Sequence, residues 1–362
     1  MSGTLVPSDS RPRAERRPSG TSFAGLVGVE LRRLWWRRLT KVAVVALVLF
    51  TGAAVYNAYG SSTPERLAQQ LDDYKALVAD TKRQQADFKE QLPQMVAQCR
   101  QDQAAERERS GDASVDFGCD SITAPPDPTL EQFGLVPPVA DVITAGIATS
   151  AAYLVAFLAF VLGASAIGAE FTTGSLGNWL TFQPRRTKVA LTKLCAVALA
   201  GAGLAVTFAV LTNLGARMVA VVNRPGEDLV LHEPASVTDS VPQLLLRVVA
   251  LGVLAAVCGA ALAFVLRYTA GVVGVLLAYA VGAELIAAQA FLQGRLKPWT
   301  VSTNVEAFLG KGTTYFAETC EGSTCSLTSQ PLSYTHSWVF LLVLGLVLGL
   351  VGVLTFRRRD VA

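Results

Sequence analysis

Residues 31–60 read LRRLWWRRLTKVAVVALVLFTGAAVYNAYG: a dense basic and aromatic segment gives way, after Lys41, to a run without a single charge. A hydrocarbon layer about 30 Å thick demands about 20 apolar residues in one helix, because every backbone amide there must be satisfied within the segment. Residues 41–59 meet that demand and form the first expected membrane span. They lie too far from the start, and lack the small-residue cleavage site, to be a secretory signal. The whole chain agrees, with 362 residues, 51% of them hydrophobic, 16% charged and a mean hydropathy of +0.40. Those values fall outside the range of ordinary soluble domains.

Five more stretches, 138–168, 188–214, 244–266, 269–291 and 338–356, are apolar on all sides, as helices among lipid and other helices must be. The fold class expected is therefore an all-α integral membrane protein with six transmembrane helices. Orientation follows from where Lys and Arg fall in the short connections, since positive loops stay cytoplasmic. Arg32 to Lys41 precede the first span, and Arg185, Arg186, Lys188 and Lys193 separate the second from the third. Arg267 separates the fourth from the fifth, and Arg357 to Arg359 follow the sixth. All four groups fall on one side of a six-span chain. Both termini, including the tail 357–362, are thus expected in the cytoplasm of a bacterial plasma membrane, with 60–137, 215–243 and 292–337 facing outward.

Residues 1–21 are rich in Pro, Ser and Arg and read as a disordered cytoplasmic tail. Over 22–40 the pattern changes: Phe23, Leu26, Val27, Glu30 and Leu34 recur on one helical face opposite a basic one carrying Trp35 and Trp36. An amphipathic helix of that kind lies at the membrane interface. The insertion 60–137 opens with Ser62, Thr63, Pro64 and Glu65, the signature of a capped helix start. Leu67, Leu71, Tyr74, Val78, Thr81, Gln85, Phe88 and Leu92 then repeat at spacings of four and three, the seam of a helical hairpin or coiled coil. Pro93 is expected to kink or end this helix, giving a reach of roughly 45 Å at about 1.5 Å per residue. With 14 acids against 8 bases, the insertion carries a net charge of −6, the mark of a solvated helical domain. After Gly118 a proline-rich segment reads as the extended return to the second span. Short helices near the outer surface are expected in 292–337, with Trp299, Phe308, Tyr315 and Phe316 at headgroup level.

Cys99, Cys119, Cys320 and Cys325 all fall in outward segments, where disulfides form. Four cysteines allow three pairings. Cys99 with Cys119 and Cys320 with Cys325 close the shortest loops, and spacing alone leaves the connectivity open.

The connection 169–187 holds the most informative pattern. Residues 166–194 read AIGAEFTTGSLGNWLTFQPRRTKVALTKL. Gly174, Leu176, Trp179, Leu180 and Phe182 make a short, partly apolar helix beyond the hydrocarbon, which needs a partner surface to cover it. Pro184 breaks it, and Arg185 and Arg186 anchor the next span. Glu170, Gly174, Leu176, Leu180, Pro184, Arg185, Arg186 and Lys193 resemble the pattern of the ATP-binding-cassette type-2 permeases. The resemblance covers about 22–359, and the insertion between the first two spans is longer than in the simplest members. It implies that Glu170, Gly174, Leu176, Trp179, Leu180, Pro184, Arg185 and Arg186 belong to a coupling loop that docks on an ATPase. It further implies a dimer of separate ATPase subunits holding ATP and Mg²⁺, and a second permease chain, identical or not, beside this one.

The chain is expected to bind no cofactor of its own. Its nearest approach to a phosphate-cradling loop is Gly310 and Lys311, but Val305 stands where the first glycine is needed and Gly312 follows the lysine. His232 and His336 are the only histidines and fall in separate segments, which gives a His-based metal site no support. No catalytic constellation and no nucleic-acid-binding pattern is evident, so partners reduce to the ATPase, a permease copy and the bilayer. Gly201, Gly203, Gly345 and Gly349 offer small surfaces for close helix packing against that copy. Glu284, a charge inside the fifth span, is expected either to line a translocation path or to pair with Arg247. The function expected is export of a lipid, peptide or hydrophobic drug-like substrate. The alternative is a non-transporting sensor or assembly protein whose helical domain binds a partner.

Overall fold

A computed structural model describes residues 22–130, 135, 137–175, 177, 181, 185–224, 240–284, 294–321 and 324–358. They group into two compact units, one of Met1–Val44, Ala156–Leu204 and Ala250–Ala362, the other of Val45–Val155 and Ala205–Val249. In order the elements are α1 (Phe23–Trp36), α2 (Arg38–Ser61), α3 (Pro64–Ser110), α4 (Ala140–Thr172), α5 (Arg186–Val222), α6 (Val241–Leu266), α7 (Thr269–Tyr279), α8 (Val301–Gly310), β1 (Gly312–Glu321), β2 (Thr324–Ser333) and α9 (Tyr334–Arg358). Among the described residues, α2, α4, α5, α6 and α9 are long and apolar enough to cross a membrane. The helix α5 runs to Val222, eight residues past the expected end of the third span, because LGARMVAVV stays apolar apart from Arg217.

In the first unit, α6 is the hub. A Cβ on Gly163 of α4 would sit 2.0 Å from the Ala256 carbonyl oxygen, and one on Gly259 of α6 would sit 2.1 Å from that of Phe160. The two helices therefore cross backbone to backbone where each presents a glycine. Gly201 of α5 and Gly345 of α9 also face α6, at Gly252 with Ala256 and at Leu254. These two glycines are spent inside the chain, whereas a Cβ added to Gly203 or Gly349 would meet open space.

Phe171, Phe264 and Phe356 stand near the C-terminal ends of α4, α6 and α9 and form one aromatic cluster, with ring centroids 5.1 to 6.5 Å apart. Since α6 and α9 end together, the chain between them must travel to the far end before α9 returns. The expected fifth span, 269–291, opens with α7, which gives way to a π-helical turn over 280–284, and 285–293 lie outside the described residues.

At the far end of α9, the stretch 292–337 corrects the all-helical expectation. It contains the short helix α8, but also an antiparallel hairpin in which Gly312 pairs with Ser333 and Glu321 with Thr324. Threonines, Tyr315 and Phe316 favour a pleated strand over a helix, and Lys311 at φ 59° turns the chain out of α8 into it. The ladder sets Cys320 opposite Cys325, while the side chains of 319–325 lie outside those described. Trp299 packs edge-on to His336 at 5.4 Å, and Phe308 stacks on Tyr334 at 5.8 Å. Phe316 is exposed, and Tyr315 is half-buried on the opposite hairpin face.

The second unit holds the insertion. The helix α3 runs 47 residues without a break, about 70 Å at 1.5 Å per residue, so of the kink or end expected at Pro93 the end is corrected. That proline sits on the exposed side, where water satisfies the carbonyl its missing amide leaves unpaired. The expected seam from Leu67 to Leu92 is the covered side of the helix. Its cover is no second helix but the returning chain, which runs back along α3. Arg107 donates to the Val115 carbonyl at 2.9 Å, Gln85 to that of Pro125 at 2.9 Å, and Tyr74 to that of Pro128 at 3.3 Å. Cys99 and Cys119 are disulfide-bonded, and Arg100 pairs with Asp120 at 2.7 Å. Where the return begins, Asp112 accepts hydrogen bonds from the hydroxyl and amide of Ser114, which hold its carboxyl below the ordinary range. At the base, Asn223 donates to the Tyr59 carbonyl at 2.7 Å and to Ser62 at 2.9 Å, tying the end of α5 to the α2–α3 junction.

The disulfide spans 20 residues, so its removal by Cys99→Ser should cost the insertion about 3 kcal/mol. Limited proteolysis should then cut residues 111–130 faster, with the membrane-spanning fragments as resistant as before. Equal cutting rates would show that the polar clasps alone hold the return chain.

Candidate functional site

The connection 169–187 leaves α4 through Gly174, whose φ of +67° is the left-handed turn that glycine takes at least cost. Gly177 then donates to the Gly174 carbonyl at 3.2 Å. Leu176, Trp179, Leu180, Phe182 and Pro184 lie outside the described residues. Arg185 is exposed and Arg186 opens α5.

What brackets this connection is a cluster of five charges. Glu170 lies in the last turn of α4 and Lys193 in the second turn of α5, each only 2% exposed. The Lys193 ammonium sits 2.6 Å from Glu170 Oε2 and 2.7 Å from Glu30 Oε1 of α1. Arg37, in the one-residue break between α1 and α2, pairs with Glu170 Oε1 at 2.9 Å and donates to the Ser165 carbonyl at 2.8 Å. Arg33 completes the group, 3.6 Å from Glu30 and 3.7 Å from Glu170.

Each member needs the others. A carboxylate in the last turn of a helix faces the negative end of the helix dipole, so Glu170 is stabilised by its cations alone. Taking such charges out of water costs several kcal/mol per ion, and only close pairing offsets it. The cluster thereby fastens both ends of the connection to α1. Glu30 was visible in the sequence as an acid on the apolar face of an amphipathic helix, and Lys193 as the last residue of the motif. Neither position revealed that they meet.

Compared with known families, the chain matches the one described as ABC-2 family transporter protein over residues 26–361. The chain belongs to the ABC-2 transporter family. It is a multi-pass membrane protein and a transporter permease by family, and it matches no curated protein. Glu170 and Lys193, the two ends of the pattern on which the resemblance rests, are in direct contact in this ABC-2 chain.

The charge inside the fifth span meets the start of α8. Glu284 accepts hydrogen bonds from the Ser302 amide at 2.9 Å, from the Tyr279 hydroxyl at 3.0 Å, and from the Ser302 hydroxyl. The Val301 amide in turn donates to the Tyr279 hydroxyl at 2.9 Å. Val301 and Ser302 are the first two residues of α8, whose N-cap Thr300 makes no side-chain cap. Glu284 and Tyr279 therefore supply the cap from α7 and the turn that follows it, satisfying two amides at the positive end of the helix dipole. Arg247 lies buried in the other unit. Among the described residues, no group of three or more metal-ligating side chains occurs.

Two outcomes follow. Lys193→Met leaves two buried carboxylates short of a cation and should lower stability by about 3–5 kcal/mol, read as a drop in unfolding temperature in detergent. Adding Glu30→Gln should recover part of that loss, a non-additivity of about 0.5–3 kcal/mol, and strict additivity would mean that the pair is uncoupled. Separately, Glu284→Ala should cost about 1 kcal/mol through the lost cap, with Glu284→Gln, which keeps an acceptor, costing less. Equal losses would show that the charge matters rather than the hydrogen bonds.

Proposed function

We propose that this chain is the permease subunit of an ATP-driven exporter, with residues 170–182 docking on a separate ATPase dimer that holds ATP and Mg²⁺. Two permease chains form the pathway, and the substrate is a lipid, peptide or hydrophobic drug-like molecule. The observation that carries the reading is the buried cluster of Glu30, Arg33, Arg37, Glu170 and Lys193. A push on the connection reaches α4 through Glu170 and α5 through Lys193, and both pull on α1. Three elements then move as one body, which is what a lever between a nucleotide-driven motor and membrane helices requires.

Orientation rests on two independent supports. Basic residues gather at the end of the helices where the connection lies, as positive cytoplasmic loops do. The insertion carries a disulfide, which persists in an oxidising compartment. The chain thus sits in a bacterial plasma membrane with both termini inside. Glu284, engaged as a cap, is a structural element, and a Glu284→Gln protein should transport at the wild-type rate.

Replacing Leu176 and Leu180 together by aspartate should abolish co-purification of the ATPase while the permease still inserts. Unchanged association would overturn the docking role. ATPase stimulation of the purified complex across lipids, peptides and hydrophobic drugs then identifies the substrate class.

A further inference from the structure

Beside the ion cluster, one flank of α1 is built to a second pattern. Val29, Arg32, Arg33 and Trp36 follow one another at i, i+3, i+4 and i+7, the spacing of a single helix face, and with Arg37 in the break after α1 they line an open groove of about 550 Å³. Val29 and Trp36 are 49% and 67% exposed, an apolar cost that water would not reward. Lys41 Nζ stands 5.2 Å above the Trp36 ring. Among the described residues, the acids paired with this flank are Glu30 and Glu170, both already engaged by Lys193. Cations therefore outnumber carboxylates along it.

Depth decides what such a groove meets. The span α2 begins at Arg38, and its uncharged run begins at Val42, so the guanidinium groups lie within about a turn of the hydrocarbon. That is the level of the phospholipid headgroups, where basic residues attract anionic lipid and tryptophan settles. We propose that this groove binds the phosphate of an anionic phospholipid, with Arg32 and Arg33 on the phosphate and Val29 and Trp36 against its glycerol backbone. A docked protein surface is the other class of occupant, and the exposed apolar residues at headgroup depth favour lipid. Because Arg33 lies 3.6 Å from Glu30 and 3.7 Å from Glu170, a phosphate here shares its guanidinium with the cluster. Anionic lipid thereby becomes a regulator of the link between α1, α4 and α5.

The full-length chain, purified in mild detergent, should retain phosphatidylglycerol over phosphatidylcholine in native mass spectrometry. Arg32→Gln should weaken phosphatidylglycerol retention about fivefold, the factor expected for one basic residue near a charged surface. Its unfolding temperature without lipid should not change, since Arg32 is exposed. Equal retention of the two lipids would overturn the proposal, as would wild-type preference in Arg32→Gln/Trp36→Ala. Full displacement of the lipid by millimolar inorganic phosphate would reassign the groove to a free anion, and displacement by the ATPase subunit alone would reassign it to protein. Lipid retention is read without ATP and without the ATPase, so it stands or falls apart from the docking role of Leu176 and Leu180.

Discussion

A lysine out of water, held between two carboxylates, is the constraint on which this chain's membrane-spanning unit turns. Lys193 reaches Glu30 and Glu170 at 2.7 and 2.6 Å, and those acids sit on different helices from it and from each other. No local segment could hold any of the three in place, because each is stable only where the other two already are. The cluster is thus a test of tertiary assembly. It forms only when α1 lies against the ends of α4 and α5, and an interfacial helix that drifted away would leave buried charge uncompensated. Hydrophobic burial would allow α1 many positions on a lipid surface, whereas the ion geometry selects one.

The rest of the unit follows from the same need for internal satisfaction. In lipid, helices gain no hydrophobic energy by touching, so close backbone approach through small residues takes its place. The glycine contacts of α6 with α4, α5 and α9 do this. At the π-helical turn that follows α7, Glu284 and Tyr279 cap two amides at the start of α8 that would otherwise lie unsatisfied. Here the span and the short helix complete each other.

Much of this was legible in the sequence, and the parts that were not share a cause. Apolar runs, the basic flanks and the α3 seam are local periodicities, and each was read from spacing alone. The seam's occupant was misjudged because a spacing of four and three states that a face is covered, not by what. A proline-rich return chain with backbone carbonyls to offer Tyr74, Gln85 and Arg107 serves as well as a second helix. The hairpin was missed because aromatic and small residues in a loop suit a strand and an interfacial helix alike. Glu284 drew attention as an intramembrane acid, but its partner Ser302 is 18 positions away across a segment that periodicity does not describe. In every case the local pattern predicted that a group needed a partner, and only the tertiary structure could say which.

The choice of cations within the cluster is not interchangeable, and it joins the two roles assigned to α1. A compact ammonium fits the space between two carboxylates with 2% exposure, where a guanidinium fork would have to displace one of them. Arg37 does the opposite work. Its planar fork spreads donors in fixed directions, so one nitrogen holds the Ser165 carbonyl while another holds Glu170, and its remaining edge stays toward the groove. A lysine there would lack that planar fork of fixed donor directions. Arginine on the rim and lysine at the centre therefore let one network be closed toward the protein and open toward the membrane surface, which a network made of either residue alone would not achieve.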